Sequence, residues 1–127
     1  DDRYRALREL TTRQARQRSL FPRVRIVDAR VADLEHIRAG DRVASRVVLS
    51  LGELTPSDVV VELVIGRPAG VRRLEGVSVV PLAPVGPEPP DGHVFQADHV
   101  LSSAGALAYG IRVRATEQDA DDLVMWA

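Results

Sequence analysis

Three histidines are the residues of this chain best suited to bind a metal ion or to move a proton near neutral pH. His93 and His99 fall on one face of a predicted strand, and Asp91 lies beside the first. Six residues of strand separate the two imidazoles by about 20 Å, at roughly 3.3 Å per residue, whereas a metal–nitrogen bond is only about 2 Å. We therefore expect no shared metal ion. We interpret both as surface or rim residues, and His36 has no predicted partner.

Carboxylates are the next candidates. Asp119, Asp121 and Asp122 could supply oxygen ligands, but they lack the glycine and the final glutamate of an EF-hand loop, which favours a solvated acidic turn. Glu53 lies in a predicted turn, and Glu62 alternates with the core valines of the next strand. The two are therefore not expected to converge as the acid and base of a glycosidase.

Nucleophilic and cofactor chemistry is limited by what the sequence lacks. Ser102 and Ser103 have histidines nearby in sequence, but the Gly-x-Ser-x-Gly motif is absent and no base is positioned by the pattern. There is no cysteine, and all 17 basic residues are arginine. Thiolate zinc sites, cysteine nucleophiles and a lysine Schiff base are therefore excluded. The sequence predicts no catalytic, cofactor-binding or metal-binding residue.

The elements that carry these residues are predicted from the hydrophobic pattern. Residues 1–20 are rich in arginine and hold Tyr4 and Leu7 at helical spacing, which predicts a helix that ends before Phe21 and Pro22. After residue 21, short runs of alternating apolar residues are separated by turn residues about every 8 to 12 positions. We predict an all-β fold over residues 21–127, an immunoglobulin-like antiparallel β-sandwich, preceded by this short N-terminal helix.

The strands themselves follow from period-two alternation. The first is predicted to begin at residue 23, with Val24, Ile26 and Asp28 on one face. The run 42–51 is predicted to pair with the run 58–65. Prolines exclude residues 83–91 from a strand interior, so this segment is predicted to be an exposed loop. Further strands are predicted at 71–74, 77–82, 93–101, 107–113 and 123–126.

Composition limits the classes of partner that this chain can attract. A formal net charge of −1 and 45% hydrophobic residues indicate a soluble globular domain, with no general attraction to nucleic acid or to an anionic membrane. The arginines of residues 1–20 are offset by acidic residues, and no aromatic residues interleave with them as in a nucleic-acid arm. No apolar run approaches the roughly 20 residues that span a bilayer. We expect a cytoplasmic protein without nucleic-acid or membrane partners.

The most specific motif is Leu-Gly-x-Leu-x-Pro-x-Asp-Val-x-Val-Glu at residues 51–62. It is supported by Phe-Pro-Arg-Val-Arg-Ile at 21–26, Ala-Gly-Asp at 39–41 and Leu-Val-x-Trp-Ala at 123–127. Together these segments resemble the C-terminal region of bacterial α-glucan (glycogen or maltodextrin) phosphorylases of the long, actinobacterial type. The resemblance covers residues 21–127.

The resemblance implies a parent glycosyltransferase that cleaves α-1,4-glucan with inorganic phosphate, releasing glucose 1-phosphate, with pyridoxal phosphate as its cofactor. Residues 1–20 would be the last helix of the upstream catalytic domain, which is then the expected partner. The family's catalytic and cofactor residues lie upstream, so none carries over to this segment.

We therefore expect a non-catalytic domain that serves domain packing, assembly or substrate positioning. α-Glucan and a second copy of the chain are further candidate partners. The alternative is a stand-alone β-sandwich module that binds glycan or protein. Only five aromatic residues are present, and sugar-binding surfaces usually stack on exposed aromatic rings, so packing is the preferred interpretation.

Overall fold

The computed structural model describes residues 2–32, 34, 37–71, 73–101, 105–117 and 124–126, the last three by their backbone alone. The elements in chain order are α1 (Asp2–Leu20), β1 (Arg25–Val31), β2 (Arg42–Ser50), β3 (Val59–Pro68), β4 (Leu74–Glu88), β5 (Gly92–Val100), β6 (Ala108–Ala115) and β7 (Val124–Trp126). Short 3₁₀ helices lie at Phe21–Arg23 and Pro56–Asp58. The prediction of an all-β fold with a preceding helix is confirmed.

The strands form one curled antiparallel sheet in the order β1-β2-β5-β4-β3-β6-β7. Strand β4 joins the two halves of this sheet, because its residues 74–82 pair with β3 and its residues 83–88 pair with β5. We call β1, β2, β5 and residues 83–88 the first half. The second half consists of residues 74–82, β3, β6 and β7.

A single hydrophobic core lies between the two halves. The first half contributes Leu49 and Phe95, and the second half contributes Leu63, Ile111 and Val113, all of which are almost fully buried. The alternation predicted for residues 107–113 is confirmed, since its odd-numbered members point toward this core. Burial of such apolar surface is the main stabilising contribution to the fold.

The predicted pairing of the run 42–51 with the run 58–65 is wrong. Strand β2 pairs with β1 and β5, whereas β3 pairs with β4 and β6. The connection between β2 and β3 is too long for a tight hairpin turn, and it buries Leu51 and Leu54 in the core. The chain therefore crosses from the first half to the second at this point.

The prediction of an exposed loop at residues 83–91 is also wrong. Strand β4 continues to Glu88, and only residues 89–91 form a turn. Each part of β4 pairs with one neighbouring strand only, so Pro81, Pro84 and Pro87 can direct their missing N–H toward the unpaired side. The strand predicted at 77–82 is part of this one strand, which begins at Leu74. The strand predicted at 71–74 is wrong except for its last residue, because Val71 lies in a turn and residue 73 precedes β4, whereas residue 72 lies outside the described residues.

Strand β1 departs from the predicted alternation at a β-bulge between Ile26 and Asp28. The extra residue shifts the face on which the following side chains lie. Asp28 is therefore exposed, whereas Ala29 and Val31 pack against the core. Among the residues that the structure describes, no helix is long and apolar enough to cross a membrane.

Candidate functional site

Helix α1 is held against the strands by its C-terminal half. Its residues are mostly good helix formers, and Asp2 in the first turn and Arg18 in the last turn interact favourably with the helix dipole. Residues 2–9 are all exposed, whereas Gln17 retains only 2% of its accessible surface. A buried amide must find hydrogen-bond partners, and those of Gln17 define the candidate site.

The amide of Gln17 joins three positions of the strand domain. Its Nε2 donates to Asp58 Oδ1 at 3.2 Å and to Thr116 Oγ1 at 3.0 Å. Its Oε1 accepts from the backbone N–H of Glu117 at 3.0 Å. Both amide protons and the amide oxygen are therefore satisfied, and α1 is fixed to the ends of β3 and β6.

Asp58 is the centre of this arrangement, which we call the Asp58 cluster: Arg16, Gln17, Thr55, Asp58 and Thr116. Its Oδ2 accepts from the Thr55 N–H at 2.8 Å, from the Thr55 hydroxyl at 3.0 Å and from Arg16 Nη1 at 3.1 Å. The Thr55 contacts close the 3₁₀ turn that precedes β3, and the Arg16 and Gln17 contacts add the helix. One carboxylate thus serves both a local turn and a long-range contact.

These contacts also set the protonation of Asp58. Partial burial by itself raises the pKa of its carboxyl group. Hydrogen bonds from the Thr55 backbone, the Gln17 amide, the Thr55 hydroxyl and the Arg16 guanidinium lower the pKa, and together they outweigh the effect of burial. The net result is a pKa below the usual 3.8. Asp58 is therefore ionised at neutral pH and suits a permanent charged acceptor rather than a general acid.

Further contacts surround the cluster. Arg16 Nη2 donates to the Glu53 carbonyl at 2.9 Å, and Gln14 Nε2 donates to the Glu117 carbonyl at 3.0 Å. Arg13 lies 3.7 Å from the Glu117 carboxylate, a partly exposed pair of small energetic weight. Among the described residues, no buried side-chain nitrogen or oxygen lacks a hydrogen-bond partner.

The motif at residues 51–62 supplies much of this site. Gly52 adopts a left-handed backbone with φ of 62°, which favours glycine at the turn. Leu51 and Leu54 are buried beneath the turn. Asp58 binds α1, and Glu62 pairs with Arg112 and Arg114 on the outer face of the second half. Sequence reasoning placed Asp58 in this motif, at the start of the predicted run 58–65, but missed its contact with α1.

The structure does not gather the other chemical candidates into one site. His93 and His99 lie near opposite ends of β5, and Asp91 precedes this strand. Glu53 is exposed in the turn, and Glu62 is engaged with its two arginines rather than with a second carboxylate. No cluster of three histidine, aspartate or glutamate side chains that could hold a metal ion occurs in the described part of the chain.

Several candidates lie outside the described residues. They are His36, Ser102, Ser103, Asp119, Asp121 and Asp122. Trp126 is described by its backbone alone. The predictions made for these side chains stay predictions.

Two open cavities are alternative candidate sites. One of about 760 Å³ lies on the outer face of the first half, lined in part by Arg46 and Asp98. Arg46 pairs with Glu88 at 2.7 Å and Asp98 with Arg42 at 3.2 Å, so these charges already have partners. The second cavity, of about 510 Å³, lies at the turn 89–91. Its lining includes Ser50, Asp91 and His93, but no hydrogen bond between side chains of the described residues joins any two of them.

Pyridoxal phosphate does not fit this chain. The cofactor is held in enzymes as a Schiff base with a lysine amine, and the sequence has no lysine. No residue of this chain can therefore hold the cofactor as a Schiff base.

Comparison with known proteins identifies the strand domain. A search of curated proteins finds no match. The family described as the glycogen phosphorylase C-terminal domain (GlgP_C) matches residues 21–124. This match covers most of the chain and begins immediately after α1. It does not distinguish bacterial groups, so the actinobacterial type stays a prediction. The chain belongs to the glycogen phosphorylase C-terminal domain family, and it is therefore part of a larger phosphorylase chain.

Proposed function

We propose that this chain is a non-catalytic domain of an α-glucan phosphorylase and that it packs against the upstream catalytic domain. The observation that carries this proposal is the Asp58 cluster. In it, the family-like segment 51–62 binds the helix that precedes the matched residues. The phosphorolysis of α-1,4-glucan and its pyridoxal phosphate are assigned to the upstream domain only.

The bonding of α1 supports packing as the role. Charge-assisted hydrogen bonds are directional, so the contacts of Asp58 restrict both the rotation of α1 and its position along its own axis. A domain fixed in this way to the helix before it holds one orientation relative to the chain upstream. That property suits domain packing, assembly and the positioning of a polymeric substrate.

The distribution of aromatic side chains supports packing over glycan capture. Phe21 and Phe95 are buried and Tyr109 is half-buried. Tyr4, on α1, is the one described aromatic side chain that is largely exposed. The described strands therefore offer no exposed aromatic surface on which sugar rings could stack.

The strand order supports an immunoglobulin-like form of the sandwich. The first half has the order β1-β2-β5-β4 and the second half continues with β3-β6-β7. These orders correspond to strands A-B-E-D and C-F-G of a constant-type immunoglobulin domain. We include this connectivity in the proposal.

Two measurements on the 127-residue chain test the function. With maltodextrin, inorganic phosphate and added pyridoxal phosphate, we expect no release of glucose 1-phosphate, and measurable release would contradict the non-catalytic role. Titration with maltoheptaose, followed by amide chemical shifts, is expected to give no saturable change. Saturable binding would instead favour a glycan-binding role for this domain.

A further inference from the structure

Strand β4 leaves one edge of the second half of the sheet open. Residues 74–82 pair with β3 on one side, and among the described residues no strand pairs with their other side. Pro81 has no N–H, so it fits this strand with its nitrogen directed away from β3. Backbone groups of alternate residues point to the same side of a strand, so the N–H and C=O of Val79 also point to the open side. A β-bulge leaves Val77 without a register partner on β3.

The side chains along this stretch, residues 77–79, are apolar where they face water. Val77 and Val79 lie two residues apart, on one face of the strand, and are 47% and 44% exposed. Val79 lies opposite Val64, which is also apolar and is 7% exposed. Unpaired N–H and C=O groups beside exposed apolar side chains form a template for pairing with another strand. We call residues 77–79 the open edge.

The other edges of the described strands are better protected. Strand β1 carries a β-bulge and exposed arginine and aspartate side chains. Strand β7 has only three residues, and the edge of β4 at residues 83–88 carries Pro84 and Pro87. Charges, prolines and short strands are the features by which proteins block pairing at an edge. The open edge carries neither a charge nor a proline.

We propose that the open edge pairs antiparallel with the open edge of a second copy of this chain, about a two-fold axis at Ser78. Val77 then lies opposite Val79 of the second copy, and each such pair exchanges two backbone hydrogen bonds, about four in total. The second halves of the two copies form one continuous sheet. This contact joins separate chains, whereas the proposed function concerns packing within one chain.

A second copy is favoured as the occupant because the open edge is complementary to itself. The sequence Val-Ser-Val at residues 77–79 reads the same in both directions, as a two-fold contact requires. The four valine side chains gather on one face and shield one another from water. Six residues of strand separate the two Glu75 positions by about 20 Å, at roughly 3.3 Å per residue, so these carboxylates do not oppose the contact.

The contact is short, which limits its strength. Pro81 lacks a donor at one end, and the backbone turns at Gly76, with φ of 61°, at the other. Three residues from each copy bury less than the roughly 1,200 Å² of a stable interface. We therefore expect a weak dimer, with a dissociation constant of roughly 10 μM to 1 mM.

A disulfide cross-link tests the position of the axis. The sequence has no cysteine, and Ser78 is exposed, so Ser78→Cys introduces a single accessible thiol. Across the axis its Cα atoms would form a non-hydrogen-bonded pair about 4.5 Å apart, which is within the range of a disulfide. With oxidised glutathione, at a concentration above the dissociation constant, we expect most of the 127-residue chain to become a covalent dimer.

Val85→Cys is the matched control for the cross-link. Val85 lies on the same strand and is 61% exposed, but it is outside the open edge. It should form covalent dimer at least about 10-fold more slowly than Ser78→Cys. Equal rates for the two variants would overturn the proposal.

Sedimentation velocity over a range of concentrations measures the reversible dimer. Val79→Lys places a charge opposite Val77 of the second copy and should raise the dissociation constant at least about 10-fold. Val85→Lys adds the same charge outside the open edge and should stay within about 2-fold of the unchanged chain. Circular dichroism reports in each variant that the strand domain is folded. A chain that stays monomeric up to about 1 mM, or a dimer that Val79→Lys leaves unchanged, would overturn the proposal.

Amide exchange in the full phosphorylase chain distinguishes the rival occupant, which is the upstream part of the same chain. Pairing between copies predicts that the Val77 and Val79 amides are protected and that dilution removes this protection. Protection that persists on dilution would assign the open edge to the upstream part and would overturn the proposal. Neither result depends on substrate, so the glucose 1-phosphate test of the proposed function is separate.

Discussion

The core between the two halves of the sheet and the contact between α1 and the strands use opposite chemistry. The core consists of side chains such as Leu63, Ile111 and Val113, whose burial is favourable in any orientation. The contact of α1 consists of an amide, a carboxylate and a guanidinium group, which bind only in defined directions. Burial therefore stabilises the strand domain, and hydrogen bonding specifies how the helix is placed on it.

The largest effect is expected from the core. Ile111→Ala removes a fully buried side chain and leaves a cavity, so the free energy of unfolding should fall by about 2–5 kcal/mol. Urea denaturation followed by circular dichroism measures this change. Val79→Ala on the outer face, where Val79 is 44% exposed, should cost less than about 1 kcal/mol. Equal losses in the two variants would contradict the assignment of the core.

A smaller effect is expected at the helix contact. Gln17→Ala leaves the Glu117 N–H without its partner and removes one donor to Asp58, which should cost about 1–3 kcal/mol. Gln14→Ala is the matched control, since it removes a single hydrogen bond from a half-buried position and should cost about 0.5–1.5 kcal/mol.

Exchange measurements locate the effect of these two variants. In Gln17→Ala, the amides of residues 13–20 should lose protection while those of β3 keep it, because the strands have their own core. Loss of protection throughout the sheet would show that the helix and the strands are not separable in this way.

The pH dependence of stability isolates the carboxylate. Asp58 has a pKa below 3.8 in the folded state, so the unfolded state takes up its proton first as the pH falls. Its stabilising contribution is complete above the unfolded pKa and is lost as the pH drops through the folded pKa. Asp58→Asn should therefore flatten the decline in the free energy of unfolding below about pH 5. An unchanged slope would show that other groups cause the decline.

The smallest effect is expected on the outer face. Glu62 lies 3.0 Å from Arg112 and 3.7 Å from Arg114, in partial contact with water. Glu62→Gln should lower the free energy of unfolding by about 0.2–1 kcal/mol. The difference should shrink in about 1 M salt, where the Debye length is only about 3 Å. A loss larger than that of Gln17→Ala would reverse the ranking of the two polar regions.

The elements that could be predicted are those set by local pattern. The helix at residues 2–20 follows from its composition and from the proline at position 22. Strand β6 follows from the alternation of residues 107–113. The fold class and the family could be inferred because the motif at 51–62 combines turn residues with a β-branched run.

The elements that could not be predicted depend on distant neighbours. Whether Pro84 and Pro87 end a strand depends on which side of β4 is paired, and the local sequence does not contain that information. The partner of β2 likewise depends on where the chain goes after Leu51. The bulge between Ile26 and Asp28 inserts one extra residue, so the side chains after it lie on the opposite face from the one that simple alternation predicts.

Part of the candidate site could be predicted from the sequence. Thr55 and Asp58 have the spacing of a capping pair, so their local contact could be anticipated. Gln17 lies 41 residues before Asp58, and a glutamine on an arginine-rich helix usually faces water. Its burial follows from the packing of the helix on the strands, which no pattern in α1 specifies.

The continuity of strand β4 has a consequence for how this domain unfolds. This one continuous strand forms backbone hydrogen bonds to β3 through residues 74–82 and to β5 through residues 83–88. The two halves therefore share a strand and the core between them, so opening of either half exposes buried side chains of the other. Thermal opening of the strands should involve both halves at once, as one cooperative unit rather than two layers that melt separately.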